Sequence, residues 1–333
     1  MLHTVTKRLA ATAAIVLGTF AFSAAVVSPA RAENPKTVTL DWAYYNPVSL
    51  VLKDKGWLEK DLAKDGIKVR WVHTLGSNKA IEFLNARSID FGSTAGAAAL
   101  LAKINGSPIQ SIYVYSKPEW TALVTGKNSS IKTVADLKGK RVAVTRGTDP
   151  YIFLVRVLGQ NGLSEKDIKP VLLQHADGRA ALERGDVDAW AGLDPMMAQA
   201  ELEIGARLFF RNADLNTWGV LNVTEEFAKH HPQIVERVLA SYEQARKHAL
   251  ANPAELKAAL AKAAKLSDAV AAKQLERTEL THSSIGKLQV DSLIAAGKAL
   301  QTGGVIPADV KIEEVVASLI QTKFSAKLQQ AAK

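Results

Sequence analysis

The sequence predicts an α/β protein of two similar lobes, each a mainly parallel sheet flanked by helices, with a helical C-terminal region packed on the first lobe. Three observations lead there. From Lys36 to about Val223, β-branched runs alternate with helical stretches, the pattern of strands joined by crossover helices. Two pairs of segments inside that region repeat the same order of features. Beyond it the composition changes: all six Trp and five of the six Tyr lie before residue 219.

The expected strands, in order, are "TVTLDW", "IKVRWV", "SIDFG", "IQSIYVY", "TALVTG", "RVAVTR", "VLLQ", "VDAWAG" and "ARLFF". In the first matched pair, residues 39–62 and 142–168 share strand, polar-Pro turn, helix, Gly and then Glu-Lys-Asp. In the second, residues 83–100 and 181–198 share helix end, short turn, a strand with a central Asp, then a loop of small or polar residues entering a helix. The C-terminal third ("PQIVERVLASYEQARKHAL", "PAELKAALAKAAK", "LQVDSLIAAGKALQTGG") has helix periodicity with Pro starts or Gly stops.

At the N-terminus, Lys7 and Arg8 precede an apolar run from Leu9 to Val27 and a small-residue "ARA" at 30–32. This reads as a cleaved secretory signal peptide over residues 1–32, and a soluble mature chain follows from the lack of a comparable run elsewhere. The segment carries Lys7, Arg8 and Arg31 and no acid, so its removal takes the net charge from +9 to +6. Zero cysteines exclude disulfides, thiolate metal sites, a Cys nucleophile and a lipid-bearing Cys. An exported, unanchored, disulfide-free chain suits a bacterial periplasm. Lysines spread over helices such as "AELKAALAKAAK", without interleaved aromatics, argue against a nucleic-acid partner.

In open α/β sheets, ligands bind beyond the carboxyl ends of the strands. Four loops fall there: Tyr44 to Pro47, Ser93 to Gly96, Gly147 to Asp149 and Leu193 to Pro195, which line one cleft if the lobes face each other. "STAG" (93–96) and "RGTD" (146–149) offer small residues, hydroxyls and helix-start N–H groups suited to an oxyanion. Two readings stand for the second loop: an anion site, or a plain strand-to-helix turn capped by Asp149 with Pro150 at the first helical position. Arg146 either adds charge to the site or pairs with a neighbouring carboxylate. Asp149 competes for the donors an anion uses, which favours a ligand that also carries an amine. Tyr44, Tyr45, Tyr115, Trp120, Tyr151, Trp190 and Trp218 either grip an apolar tail or pack in the core; Trp42, Trp57 and Trp71 go to the core.

Catalysis finds little support. His230 and His231 open a surface-like helix, His175 follows a strand, no His pair has metal spacing, and Asp186 and Asp188 flank a turn. Phosphate-loop, dinucleotide and G-x-S-x-G fingerprints are missing. No metal, cofactor or enzymatic activity is expected.

Four stretches, "GSNKAIEFLNARSIDFGSTA" (76–95), "SIKTVADLKGKRVAVTRGTDPYIFLVRVL" (130–158), "DGRAALERGDVDAWAGLDPMMAQAE" (177–201) and "FAKHHPQIVERVL" (227–239), resemble the aliphatic sulfonate-binding proteins of bacterial ABC importers. Their wider group also binds taurine, nitrate and thiamine precursors. The resemblance covers nearly all of the mature chain and implies a two-lobed, type II-like periplasmic binding protein that closes around ligand by hinge motion. It places the ligand loops at Tyr44 to Pro47, Gly76 to Asn78, Ser93 to Gly96, Gly147 to Asp149, Asp194 and Asn216 to Gly219; together with Trp120 and Arg146 from the residues themselves, the expected ligand contacts are Tyr44, Tyr45, Asn46, Ser77, Asn78, Ser93, Thr94, Trp120, Arg146, Gly147, Thr148, Asp149, Asp194, Asn216 and Trp218. The small residues of "STAGAAA" and Leu193 before the Asp-Pro depart from the family and imply a roomier pocket. The implied partners are a small-molecule sulfonate, an ABC permease and its ATPase, with the binding protein a monomer. Taurine, nitrate, sulfate or a pyrimidine are the alternative cargoes, and a receptor adaptor the alternative role. The branch that makes a thiamine precursor relies on a cysteine-rich motif this chain lacks. Lobe one is expected over 35–115 plus 220–330 and lobe two over 116–219, crossing near Ser111 to Ser116 and Asn216 to Val223.

Overall fold

The structure is a computed structural model describing residues 34–331; the expected signal peptide lies outside the described residues. Strands β1 (Thr37–Trp42), β2 (Lys68–His73), β3 (Phe91–Ala95) and β4 (Ile109–Pro118) lie in a first sheet. Strands β5 (Leu123–Thr125), β6 (Arg141–Val144), β7 (Lys169–Leu172), β8 (Ala189–Ala191) and β9 (Arg207–Phe210) make a second, after which β10 (Gly219–Thr224) and β11 (Thr278–Glu279) return to the first.

The two sheets have one design. From the β2 edge the first runs β2-β1-β3-β10-β4 and then β11; from the β7 edge the second runs β7-β6-β8-β5-β9. β1 is parallel to β2 and β3, and β6 to β7 and β8. In each set of five the fourth strand breaks the sense: β10 is antiparallel to β3 and β4, and β5 to β8 and β9, while the added edge strand β11 is antiparallel to β4. The cause is the path of the chain. Strands joined by a helix return parallel, whereas β5 and β10 arrive directly from the other sheet. The matched segments read in the sequence fall on equivalent places, with β1 and β6 heading one pair and β3 and β8 the other.

All nine expected strands form, but β10 was not expected, nor was the two-residue β11 in the otherwise helical C-terminal third. Its six residues are all buried in mid-sheet, including Asn222, whose amide donates to the Gly92 carbonyl (3.1 Å) and to Thr94 Oγ1 (2.8 Å) while its Oδ1 accepts from Ser111 Oγ (2.7 Å). The passages between sheets are residues 119–122 and 211–218. The first lies beyond Ser111 to Ser116 because β4 continues to Pro118, where β11 pairs with it. The second ends earlier than Val223 because the chain has joined the first sheet at Gly219.

Crossover helices start at the carboxyl ends of the strands and stop where the sequence supplies a terminator. Helix Pro47–Lys55 has Asn46 as its N-cap and Pro47 in its first turn, and it ends at Gly56, whose φ of +62° is the left-handed conformation of a helix C-terminus. In the C-terminal region, helix Pro232–Ala251 buries Ile234, Val235, Val238, Leu239, Tyr242, Ala245 and Ala249, a stripe at helical spacing. That helix packs on Pro47–Lys55, beside the first sheet.

Candidate functional site

Two buried carboxylates hold the loops in place, and only one was anticipated. Asp41, inside β1, is fully buried. Its Oδ1 accepts from the Ser93 N–H (2.9 Å) and Oγ (2.8 Å), and its Oδ2 from Thr74 Oγ1 (2.8 Å). Asn46 Nδ2 donates to Ser93 Oγ (2.7 Å) and Tyr45 Oη to the Ser93 carbonyl (3.0 Å), so the ends of β1, β2 and β3 form one network. Burial pushes the Asp41 carboxyl up to about 6, against the lowering effect of the Ser93 and Thr74 bonds. The signal in the sequence was an Asp interrupting the apolar strand "TLDW".

Asp149 is the counterpart in the second half. Its Oδ2 accepts from Trp120 Nε1 (2.8 Å) and the Thr217 N–H (2.9 Å), and its Oδ1 from Thr217 Oγ1 (2.7 Å). The carboxylate therefore ties helix Asp149–Gln160 to both passages between the sheets. Burial raises its proton affinity and the bonds from Trp120 and Thr217 lower it. Occupied in this way it does not cap its helix, whose N-cap residue is Thr148, which corrects that expectation. Asn216 belongs to the same joint: its Oδ1 accepts from the Thr121 N–H (3.0 Å) and its Nδ2 donates to the Asn212 carbonyl (3.0 Å).

Several other expected contacts are likewise committed to the framework. Ser93 and Thr94 stand in β3 rather than in a loop, with Thr94 Oγ1 taken by Asn222. The Gly96 N–H donates to the Trp218 carbonyl (2.8 Å) and the Ala97 N–H to Thr217 Oγ1 (3.2 Å), which removes "STAG" as an open anion cradle. Ser77 Oγ accepts from the Ala95 N–H (3.0 Å). Arg146 is exposed and paired with Glu165 at 2.5 Å, its guanidinium over the Tyr151 ring, so the ion-pair reading is the one the geometry gives. Asp194 caps the next helix through the Ala198 N–H (2.9 Å) and lies 3.5 Å from buried Arg277, which also pairs with Glu201. Burial pushes Asp194 up to about 7, with Arg277 opposing. Nothing in the sequence singled out Arg277.

The aromatics divide by position. Trp190 is fully buried, packed on Gly178. Trp218 lies on the side of the passages, under Lys117 and edge-on to His282. Tyr45 and Trp120 meet edge to face at 6.0 Å, with Tyr115 behind. Trp42, Trp57 and Trp71 are half-buried at the margin of the core, Trp57 and Trp71 against the main cluster and Trp42 against a smaller one. Trp42 stacks on His73 at 4.1 Å, and Tyr44 leans on the same imidazole, giving an aromatic cluster just upstream of Gly76.

Several helices start without a side-chain cap, and three of them, Ser77–Asn85, Asp149–Gln160 and His175–Arg184, start close to one another. They come together across the two sheets. A Cβ on Gly147 would lie 3.4 Å from Asn78 Cβ; one on Gly76 would lie 2.8 Å from Asn78 Oδ1 and 3.0 Å from His175 Nε2. Asn78 Oδ1, Gln174 Oε1 and His175 Nε2 are all buried without a hydrogen-bond partner. Thr148, at the helix start between them, donates its hydroxyl to the Thr145 carbonyl (2.6 Å) and leaves the helix N–H groups uncapped. Burial lowers His175 to about 3, so it is neutral. Uncapped helix starts carry unsatisfied donors and partial positive charge, so this convergence suits an oxyanion without a buried cation. The β7-to-helix turn at Gln174 and His175 was missed by the sequence reading, which placed His175 only after a strand. Among the described residues no group of three His, Cys, Asp or Glu could hold a metal, and no helix is long and apolar enough to cross a membrane.

Comparison with known proteins agrees with this architecture. The family described as NMT1/THI5 like matches residues 48–256. A protein of Escherichia coli (strain K12) named as an aliphatic sulfonates-binding protein is 33% identical over 225 residues, 67% of this chain and 70% of that one. The solved structure of the alkanesulfonate-binding protein SsuA from Xanthomonas axonopodis pv. citri, bound to MOPS, superposes with a TM-score of 0.79 at 26% identity, covering 87% of this chain and all (100%) of that one. More distantly, a 4-amino-5-hydroxymethyl-2-methylpyrimidine phosphate synthase of Uromyces fabae is 29% identical over 171 residues, 50% of this chain and 48% of that one. The chain belongs to the NMT1/THI5-like family and has the periplasmic binding protein fold.

Proposed function

We propose that this protein captures an organosulfonate in the periplasm and hands it to an ABC permease driven by a cytoplasmic ATPase. Each sheet with its helices acts as one lobe, and the lobes close on the ligand about the passages at 119–122 and 211–218. One observation carries the reading: three uncapped helix starts, one from the first sheet and two from the second, converge at Gly76, Asn78, Gly147 and His175. A sulfonate presents three oxygens to such donors without needing a counter-cation. The sulfonate-binding names of its relatives support the same cargo class. The Tyr44, Trp42 and His73 cluster and the Tyr45–Trp120 pair offer apolar surface for the organic tail. Binding rather than catalysis fits a site whose carboxylates are bound up internally and whose histidine is buried and neutral.

A thermal-shift panel tests this. Alkanesulfonates, taurine, an aromatic sulfonate, sulfate, nitrate, an alkylphosphonate and a pyrimidine are each added to the purified protein. A ligand at about 100 times its Kd adds roughly 2.7 kcal/mol, a shift of several degrees. Shifts confined to sulfonates support the proposal. A response to nitrate or the pyrimidine alone, with every sulfonate silent, would discard the cargo.

A further inference from the structure

A cavity of about 320 Å³ opens where the chain passes between the sheets. Its walls come from both sides of that joint: Arg156 from helix Asp149–Gln160, Trp218 from the passage at 211–218, Lys117 and Glu279 from the paired ends of β4 and β11, and Leu288 and Ala295 from helix Lys287–Thr302. Arg156 is the unusual member. It is half-buried, yet among the described residues no carboxylate pairs with it. Its Nη1 donates to the Leu215 carbonyl (3.0 Å), and its Nε is buried without a partner. Asp149, the carboxylate whose field reaches it, is already held by Trp120 and Thr217. Burial lowers the proton affinity of the guanidinium, with Asp149 opposing. A cation withdrawn from water without a paired anion is costly, and an anion arriving from solution offsets that cost.

The other charges around the cavity restrict what that anion is. Glu279 accepts from the Thr281 N–H (2.5 Å) and lies 2.9 Å from His282 Nδ1. Asp214, also in the lining, is exposed, and Lys117 stands over the Trp218 ring at 5.6 Å. Two fixed cations are thus balanced by two carboxylates. A dianion meets like charge here, whereas one negative charge matches the one unpaired guanidinium. A carboxylate suits the planar fork of an arginine. Trp218, Ala295 and Leu288, the last 66% exposed, add apolar surface beside it.

We propose that this cavity is a second ligand site, separate from the cleft, which takes a small monocarboxylate with an apolar body: the head lies on Arg156 and the body between Trp218 and helix Lys287–Thr302. Its volume suits a molecule of the size of benzoate. The occupant touches residues on both sides of the joint, and its recognition does not depend on the cargo of the cleft.

Calorimetric titration of the purified protein with benzoate and hexanoate tests this, with benzamide as the uncharged counterpart of benzoate. Both carboxylates should bind, and benzamide should be at least about tenfold weaker than benzoate. Arg156→Gln should weaken benzoate at least about tenfold. Because Arg156 also holds the Leu215 carbonyl, a second variant guards against loss of the fold. Ala295→Trp, at an exposed helix position, fills the cavity from outside. It should abolish benzoate binding while the ligand-free melting temperature stays within about two degrees of wild type. Silence from both carboxylates up to about 10 mM, equal affinity for benzamide, or benzoate binding undiminished in either variant would overturn the proposal. A benzoate response that meets these expectations, from a protein on which every sulfonate is silent, discards the cargo and leaves the second site standing.

Discussion

Gly147 and Asn78 face each other from different sheets, close enough that a Cβ on Gly147 would lie 3.4 Å from that of Asn78. Gly147 also holds a φ of +74°, a conformation that costs a β-branched residue about 1–3 kcal/mol. Gly147→Val should therefore weaken sulfonate binding by at least about tenfold and lower the melting temperature by a few degrees. Calorimetric titration at pH 7.5 checks it; wild-type affinity in the variant would place the ligand elsewhere.

Gly76→Ala separates closure from folding. Gly76 has extended backbone (φ 166°) that any residue adopts, but a methyl there meets Asn78 and His175. The ligand-free melting temperature should stay within about two degrees of wild type, while affinity falls about tenfold or more. Equal losses in both would mean that this contact belongs to the framework instead.

The Asp149 and Thr217 pair should behave as one unit. Removing either leaves buried partners unsatisfied, at a cost of about 1–3 kcal/mol for each group. A cycle of Asp149→Ala, Thr217→Val and the double variant, read by urea unfolding, should show a coupling of about 1 kcal/mol or more. Additive effects would dissolve the proposed joint between the helix and the two passages.

Asp194 gives a pH signature of its own. Its carboxyl is pushed up to about 7 in the fold, against about 3.9 unfolded. Between those values the folded form holds more protons, so this group contributes stability that is lost as pH rises from about 4 to about 7. Asp194→Asn should remove that component, and the difference between the two stability profiles over pH 4 to 8 isolates it. A difference that grows more favourable to the wild type with rising pH would mean that the pair with Arg277 outweighs burial.

Arg146 should matter little. Its side chain is 56% exposed and paired with Glu165, and exposed pairs are worth about 0–1 kcal/mol. Arg146→Ala should change sulfonate affinity less than about threefold in 0.15 M salt. A tenfold loss would show that it swings from Glu165 onto the ligand.

The architecture was readable because its signals are local. Each of the nine expected strands is a short apolar run with its own punctuation, and the repeated order of features pointed to two copies of one sheet plan. β10 escaped because Gly219 and Asn222 interrupt its run, and its strand state depends on β3 and β4, more than a hundred residues upstream. The site was only half legible for the same reason. That Gly147 leads a helix start into the cleft follows from neighbours in sequence. That the Asp149 carboxylate is spent on Trp120 and Thr217, or that Ser93 serves Asp41, depends on residues brought together by folding. His175 was legible only as a residue following a strand, since its approach to Gly76 depends on how the two sheets face each other.

The first sheet is completed only by a strand that returns to it late: β10 enters between β3 and β4 after all five strands of the second sheet, which come from one continuous stretch of chain, have been laid down. The dependence is consequently one-sided. A fragment ending before β10 would leave a slot between β3 and β4, whereas residues 119–218 carry every strand of the second sheet. Such a slot exposes unpaired backbone edges and invites association with foreign strands. The first sheet therefore waits on the far end of the chain, and the second can be whole before it.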